Sequence, residues 1–279
     1  MKRSYAVNSV NGFGPHKNML DLLKNAGFEA VDVDLKQATC LRPDWQDYVK
    51  SLREELDQKG ITCTQVHLPF DSLLNCCTNV NQELEQASRN AVYAAQILGA
   101  NWCVFHPRTA MSKQYDWDIS RKYTKEALMP LVEIAEKIDT GIAVENIPVF
   151  PDCPQHRFFG SDPDDLCELV DSANSSHIGI CWDTGHANLM SFDQPKVIRQ
   201  LGSRIKCTHL HSNYKEQDWH LLPIFGIIDW NRIMKAFRDI EYAGDLSLEV
   251  IAVNYKAAQN YYRTAFDAVT MLKDLFENE

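Results

Sequence analysis

Short, nearly continuous apolar runs alternate along the whole chain with longer stretches of helical periodicity. The runs are SYAVN (4–8), AVDVDL (30–35), ITCTQVH (61–67), NWCVFH (101–106), GIAVEN (141–146), HIGICWD (177–183), IKCTHLH (205–211) and LSLEVI (246–251). Strands with so little polar alternation are the kind covered on both faces, as in a parallel sheet wrapped by helices. Between them, QELEQASRNAVYAAQILGA sets Leu84, Ala87, Ala91, Ala94, Ala95 and Leu98 on one face and stops at Gly99; NMLDLLKNAGF stops at Gly27. Apolar residues at that spacing, ended by glycine, predict helices. SRKYTKEALMPLVEIAEKIDTG, DPDDLCELVDSA, WNRIMKAFRDIEYAG and AQNYYRTAFDAVTMLKDLF behave alike. Pro163 suits the first turn of its helix, whereas Pro130 is expected to kink the one it interrupts. Eight strand–helix units with no linker-like segment predict one (β/α)₈ TIM barrel as a single domain over residues 1–279.

The polar residues at the strand ends change the picture. The third run ends in His67, the fourth in His106, the fifth carries Glu145, the sixth ends in Asp183, the seventh in His211, and the eighth carries Glu249. His186 follows Asp183 closely, and Asp218 and His220 follow His211. In a barrel the carboxyl ends of all strands converge on one face, where catalytic residues sit. Each residue alone has an ordinary explanation: a packed histidine, or an aspartate accepting backbone N–H groups in its turn. Six successive strand ends aimed at one point are a different matter. Glu249 in particular, between Leu248 and Val250, needs a partner for a charge in apolar surroundings.

Composition narrows the function. A net charge of −10 argues against a broad polyanion-binding surface, so no nucleic-acid partner is expected. The opening MKRSYAVNSVNGF lacks the apolar core of a signal peptide, and no run reaches membrane-spanning length. Nine cysteines form no disulfide-like framework; Cys63, Cys103, Cys181 and Cys207 lie in apolar runs as small buried groups, and the adjacent Cys76 and Cys77 match no zinc knuckle. A cytoplasmic location is the expectation. Glycine-rich nucleotide-binding motifs are absent, so no nucleotide cofactor is expected. Two glutamates, an aspartate and a histidine suit one divalent ion: manganese, zinc, cobalt or magnesium. Such an ion, chelating neighbouring oxygens of a hydroxy-ketone or aldose, would stabilise an enediolate while carboxylates move the proton.

The ordered set VHLPF, FHP, AVENIP, CWDTGH, THLHSN, DWHLLPIFGIIDW and SLEV resembles the xylose isomerase-like TIM-barrel superfamily over residues 61–251. The resemblance implies a metal held by Glu145, Asp183, His211 and Glu249, with Glu145 and Glu249 as the acid/base pair. It implies a substrate site lined by His67, His106, His186, Asp218 and His220. The implied activity is sugar or sugar phosphate isomerization or epimerization on a small carbohydrate-like substrate. Two positions depart from the ketose 3-epimerases: Pro151 replaces a second glutamate, and Pro223-Ile224-Phe225-Gly226 lacks one glycine of Pro-Gly-x-Gly. Two alternatives share the core. One is an inosose dehydratase-like lyase. The other is an endonuclease IV-like zinc phosphodiesterase on abasic DNA, whose nine metal ligands all have counterparts here, although the DTGH corner and the IDW element resemble the isomerase branch more closely. Segments 11–18 and 147–160, the latter with Arg157, are the expected specificity loops, and the oligomeric state is left open, a homo-oligomer included.

Overall fold

The computed structural model describes residues 1–9, 18–70, 81–109, 116–149, 158–251 and 258–278. Eight strands appear where the apolar runs predict them: β1 (Arg3–Asn8), β2 (Ala30–Asp34), β3 (Thr62–His67), β4 (Trp102–Phe105), β5 (Gly141–Glu145), β6 (Ile178–Asp183), β7 (Ile205–His209) and β8 (Leu246–Leu248). All pair in parallel in the order β7-β6-β5-β4-β3-β2-β1-β8. The two outer strands meet through a bridge between Leu210 and Leu248. There the Leu210 N–H donates to the Ser247 carbonyl at 2.8 Å, and the Glu249 N–H donates to the Leu210 carbonyl at 3.3 Å. The result is a nearly closed (β/α)₈ barrel.

Among the described residues the helices are α1 (Met19–Ala26), α2 (Gln37–Cys40), α3 (Trp45–Lys59), α4 (Gln82–Leu98), α5 (Trp117–Ile138), α6 (Pro163–Ala173), α7 (Thr184–Leu189), α8 (Gln194–Leu201), α9 (Trp230–Asp239) and α10 (Ala258–Glu277). Gly99 closes α4 at φ +76°, a left-handed conformation that glycine adopts without penalty. α5 extends through Pro130, and Pro163 occupies the first turn of α6. No described helix is long and apolar enough to cross a membrane.

Strand alternation separates two cores. Outward residues such as Val31, Val33, Ile142, Val144, Ile180 and Trp182 pack in the large cluster beneath the helices. Inside the barrel, Val104, Ala143, Cys181 and Cys207 form a small apolar plug. The expected burial of Cys63, Cys103, Cys181 and Cys207 is observed. Two residues further along β5, β6 and β7, on the same inward face, stand Glu145, Asp183 and His209. The barrel therefore sets a charged layer directly above an apolar one.

Candidate metal centre

Four side chains from neighbouring strand ends, Glu145, Asp183, His209 and Glu249, bring one ligand atom each within 4.8 Å of the others. His209 Nδ1 lies 2.9 Å from Glu145 Oε1 and 3.4 Å from Glu249 Oε2. The other oxygen of Glu145 faces His106 Nε2 at 2.8 Å and His67 Nε2 at 3.3 Å. His67, His106 and Glu145 form a second such group, and His186, His211, Asp218 and His220 a third. In the third, Asp218 Oδ2 lies 3.2 Å from His186 Nε2 and 3.0 Å from His220 Nε2. His211 stacks on His220 with centroids 4.0 Å apart and reaches Asp183 Oδ2 through Nε2 at 3.0 Å.

All nine residues singled out from the sequence thus converge on one face of the barrel. The histidine grouped with Glu145, Asp183 and Glu249, however, is His209, while His211 stands with His186, Asp218 and His220. Strand β7 ends at His209, which pairs in register with Asp183, and His211 lies one inward position further on, its Nε2 3.0 Å from Asp183 Oδ2. THLH offers two histidines at period-two spacing, and the structure places both beside the carboxylates: His209 at Glu145 and Glu249, His211 at Asp183.

Local chemistry fixes these rings. Asn146 clamps β5 to β6, its Oδ1 accepting from the Asp183 N–H at 2.6 Å and its Nδ2 donating to the Asp183 carbonyl at 2.9 Å. Asp183 caps α7, accepting the His186 N–H at 2.6 Å. Three rings donate Nδ1–H to backbone carbonyls: His67 to Leu68, His186 to Asn146 and His220 to Glu249, each at 2.8 Å. A ring anchored in this way turns its other nitrogen inward, as metal-binding histidines do.

Those inward nitrogens meet carboxylate oxygens or one another; the Nε2 atoms of His67 and His106 stand 3.1 Å apart. Imidazoles whose far nitrogens already donate can face carboxylates only if a positive charge sits between them, a proton or a metal ion. Burial opposes charge on Glu145, yet the rings of His209 and His106 outweigh it and hold its carboxyl well below the usual range. Burial also works against protonated His209 and His186, but Glu249 and Glu145 beside the first, and Asp183 and Asp218 beside the second, raise both well above an ordinary imidazole. Asp218 likewise overcomes burial at His220 and pushes it up to about 9. At His106 burial prevails over Glu145 and lowers the ring to about 4. Nitrogen and carboxylate donors in these positions fit a divalent ion of the zinc or manganese type.

A cavity of about 350 Å³ opens beside the centre, lined by Asp34, His67, His220, Glu249 and Val250 among others. Phe70 covers one side, its ring 4.9 Å from His67 and 4.3 Å from His106. Another cavity, of about 320 Å³ between Trp102, Lys206 and Tyr242 at the opposite end of the barrel, touches none of the three groups. Segment 11–17, Cys76, Cys77, Pro151 and Arg157 lie outside the described residues.

Comparison with known proteins matches residues 20–274 to a family described as xylose isomerase-like TIM barrel. A D-psicose 3-epimerase of Enterocloster bolteae is 24% identical over 250 residues, covering 85% of this chain and 77% of that protein. Among solved structures, a D-tagatose 3-epimerase-like protein superposes with a TM-score of 0.77 at 24% identity, over 99% of this chain and 97% of that one. An IOLI protein with a bound zinc atom gives a TM-score of 0.77 at 18% identity, with full coverage of both chains (100% each).

Proposed function

The chain belongs to the xylose isomerase-like TIM barrel family, and from that premise we propose that it is a divalent-metal-dependent sugar isomerase or epimerase. It moves a proton on a carbon adjoining a carbonyl group. The observation that carries this reading is the pair of glutamates, Glu145 and Glu249, meeting Asp183 and His209 at neighbouring strand ends. Similarity to a protein named D-psicose 3-epimerase and to a zinc-bound structure supports it. Glu145, Asp183, His211 and Glu249 would hold the ion, with His209 beside Glu145 and Glu249. A metal bound there supplies a Lewis acid for the substrate carbonyl.

The remaining work falls to the chain's own groups. The Glu249 side chain is 26% exposed and lines the cavity, whereas Glu145 is 1% exposed with both oxygens among imidazoles. Glu249 is therefore the base that substrate reaches directly, and Glu145 the second acid/base of the pair. His67, His106, His186, Asp218 and His220 orient the hydroxyl groups, and Phe70 keeps water from one side. Ketose turnover in deuterated water, with manganese, zinc, cobalt or magnesium supplied, tests the reading. Deuterium should enter the carbon that loses its proton, and Glu249→Gln should lower turnover by ~10²–10⁴-fold, the usual contribution of one acid/base group. Product without solvent deuterium, or near-normal turnover of Glu249→Gln, overturns it. Product that has lost water points to a lyase instead.

One observation favours a second reading. The flanking groups around His67 and Asp218 repeat the donor chemistry of the first, which would suit a three-ion phosphodiesterase acting on abasic DNA. The net charge of −10 weighs against it. Elemental analysis separates the two: one ion per chain supports the isomerase, whereas three ions with nicking of abasic DNA abolished by His67→Ala or His106→Ala supports the nuclease.

A further inference from the structure

The end of β2 brings to the cavity a carboxylate that the proposed reaction does not use. Alternation along AVDVD packs Val31 and Val33 outward under the helices, so Asp32 and Asp34 turn into the barrel, Asp34 nearer the mouth. Asp34 pairs in register with His67 of β3 and lines the cavity of about 350 Å³ together with His67, His220 and Glu249. It lies outside all three donor groups of the candidate centre.

Its backbone is held from β1. The Asp34 carbonyl accepts the Ser9 N–H at 3.0 Å, the Ser9 hydroxyl accepts the Lys36 N–H at 3.1 Å, and the Tyr48 hydroxyl donates to the Ser9 carbonyl at 2.9 Å. In the side chain, Oδ2 is taken by an ion pair with the Lys36 ammonium, which also lies 5.3 Å from the centre of the Phe70 ring. Oδ1 is closed off from solvent and meets no donor among the described residues. A shielded carboxylate oxygen without a donor is unfavourable, and a ligand that brings an O–H removes the penalty. The same oxygen repels an anion, and Glu249 in the same cavity adds to the repulsion. The Lys36 ammonium offers an anion little, being engaged by Oδ2 and the Phe70 face.

We infer that Asp34 is a specificity-determining residue of the cavity, accepting a hydrogen bond from a hydroxyl of an uncharged sugar and disfavouring its phosphate ester. The inference rests on the isomerase reading above and names the substrate class of that same site. Because Asp34 stands apart from the donor groups, its contribution falls on substrate binding and not on proton transfer.

Steady-state kinetics with manganese, on D-fructose and D-psicose and on their 6-phosphates, test it. The wild type should favour the free sugars in kcat/KM. Asp34→Ala should raise KM for the free sugars by about 10–100-fold, the usual value of a hydrogen bond to a charged group, with little change in kcat. The preference over the phosphates should narrow with it. Asp34→Asn keeps an acceptor and loses the charge, so KM should rise less while the preference still narrows. Lys36→Met removes the ion-pair partner and leaves Oδ1, so KM for the free sugars should change little. An unchanged KM in Asp34→Ala, or a wild-type preference for the phosphates, overturns the inference. Equal rises in KM for Asp34→Ala and Lys36→Met overturn it too, because the ion pair then shapes the cavity and Asp34 only completes the pair. If Asp34→Ala does not fold, Asp34→Asn decides: a wild-type preference for the free sugars in that variant overturns the inference, and a narrowed one upholds it. If the wild type turns over none of the four compounds, the isomerase reading has failed instead, and calorimetric titration of the same compounds decides for Asp34. Weaker binding of the free sugars by Asp34→Ala then upholds its role; equal affinity, or no binding at all, overturns it.

Discussion

A Cβ built on Gly185 would stand 1.9 Å from Cε1 and 2.3 Å from Nδ1 of His211. The glycine of DTGH is therefore explained by the ring lying against it, not by backbone conformation. Thr184 Oγ1 holds the same histidine from its backbone, donating to the His211 carbonyl at 2.9 Å and accepting its N–H at 3.2 Å. With the backbone tied, Gly185→Ala must drive the imidazole from its stack on His220. Overpacking of this kind costs about 1–3 kcal/mol, so the urea midpoint of the metal-free protein should fall; an unchanged midpoint would show that the ring moves freely. At this scale the sequence disclosed residue types better than roles. Glu145, Asp183 and Glu249 were legible because charge at the end of an apolar run needs a reason. His209 and His211 share one face of β7, and their depths depend on the register shift between Ile180 and Cys181, a property of the strand pair that one strand's pattern does not contain.

Helix α7 starts on one of the proposed ligands, so Asp183 serves the element and the centre together. Its Oδ1 caps the helix and its Oδ2 faces His211. The ordinary explanation of an aspartate in a turn therefore holds, and the same side chain has a second oxygen for the proposed centre. Two substitutions separate them. Asp183→Ala should lose the ion and also about 1 kcal/mol of apo-protein stability, the usual value of an N-cap. Asp183→Asn keeps an acceptor for the His186 N–H and should lose the ion alone. Denaturant unfolding and elemental analysis of both proteins check this; full metal content in Asp183→Asn would remove Asp183 from the ligand set. Other helices show why elements were easier to read than residues. Asn81, Asp116, Asp162 and Asp229 cap α4, α5, α6 and α9 through contacts spanning two or three residues, which a local pattern does contain.

Over the whole molecule, eight alternating units sufficed to read the barrel, because parallel strands need crossovers and each crossover here carries its own amphipathic signature. How the ring closes was not legible, since it rests on a bridge just past the end of β7 and not on a paired run of residues. The seam between β7 and β8 rests on the Leu210–Leu248 bridge, with His209 on one side of it and Glu249 on the other. An ion bound beside this seam would act as a clasp across it. Amide hydrogens of Leu210 and Glu249 should then exchange with solvent more slowly once zinc is added, while those of the β4–β5 pair change little; equal effects at both places would show that clasp and seam are independent. The bridge also bears on when the proposed centre is complete. The proposed ligands run from Glu145 to Glu249, and the set is complete only with the last strand beside the seventh. An ion bound at the proposed centre would find its full coordination only in the closed ring, and would reward the chain for completing the circle rather than for any partial arc.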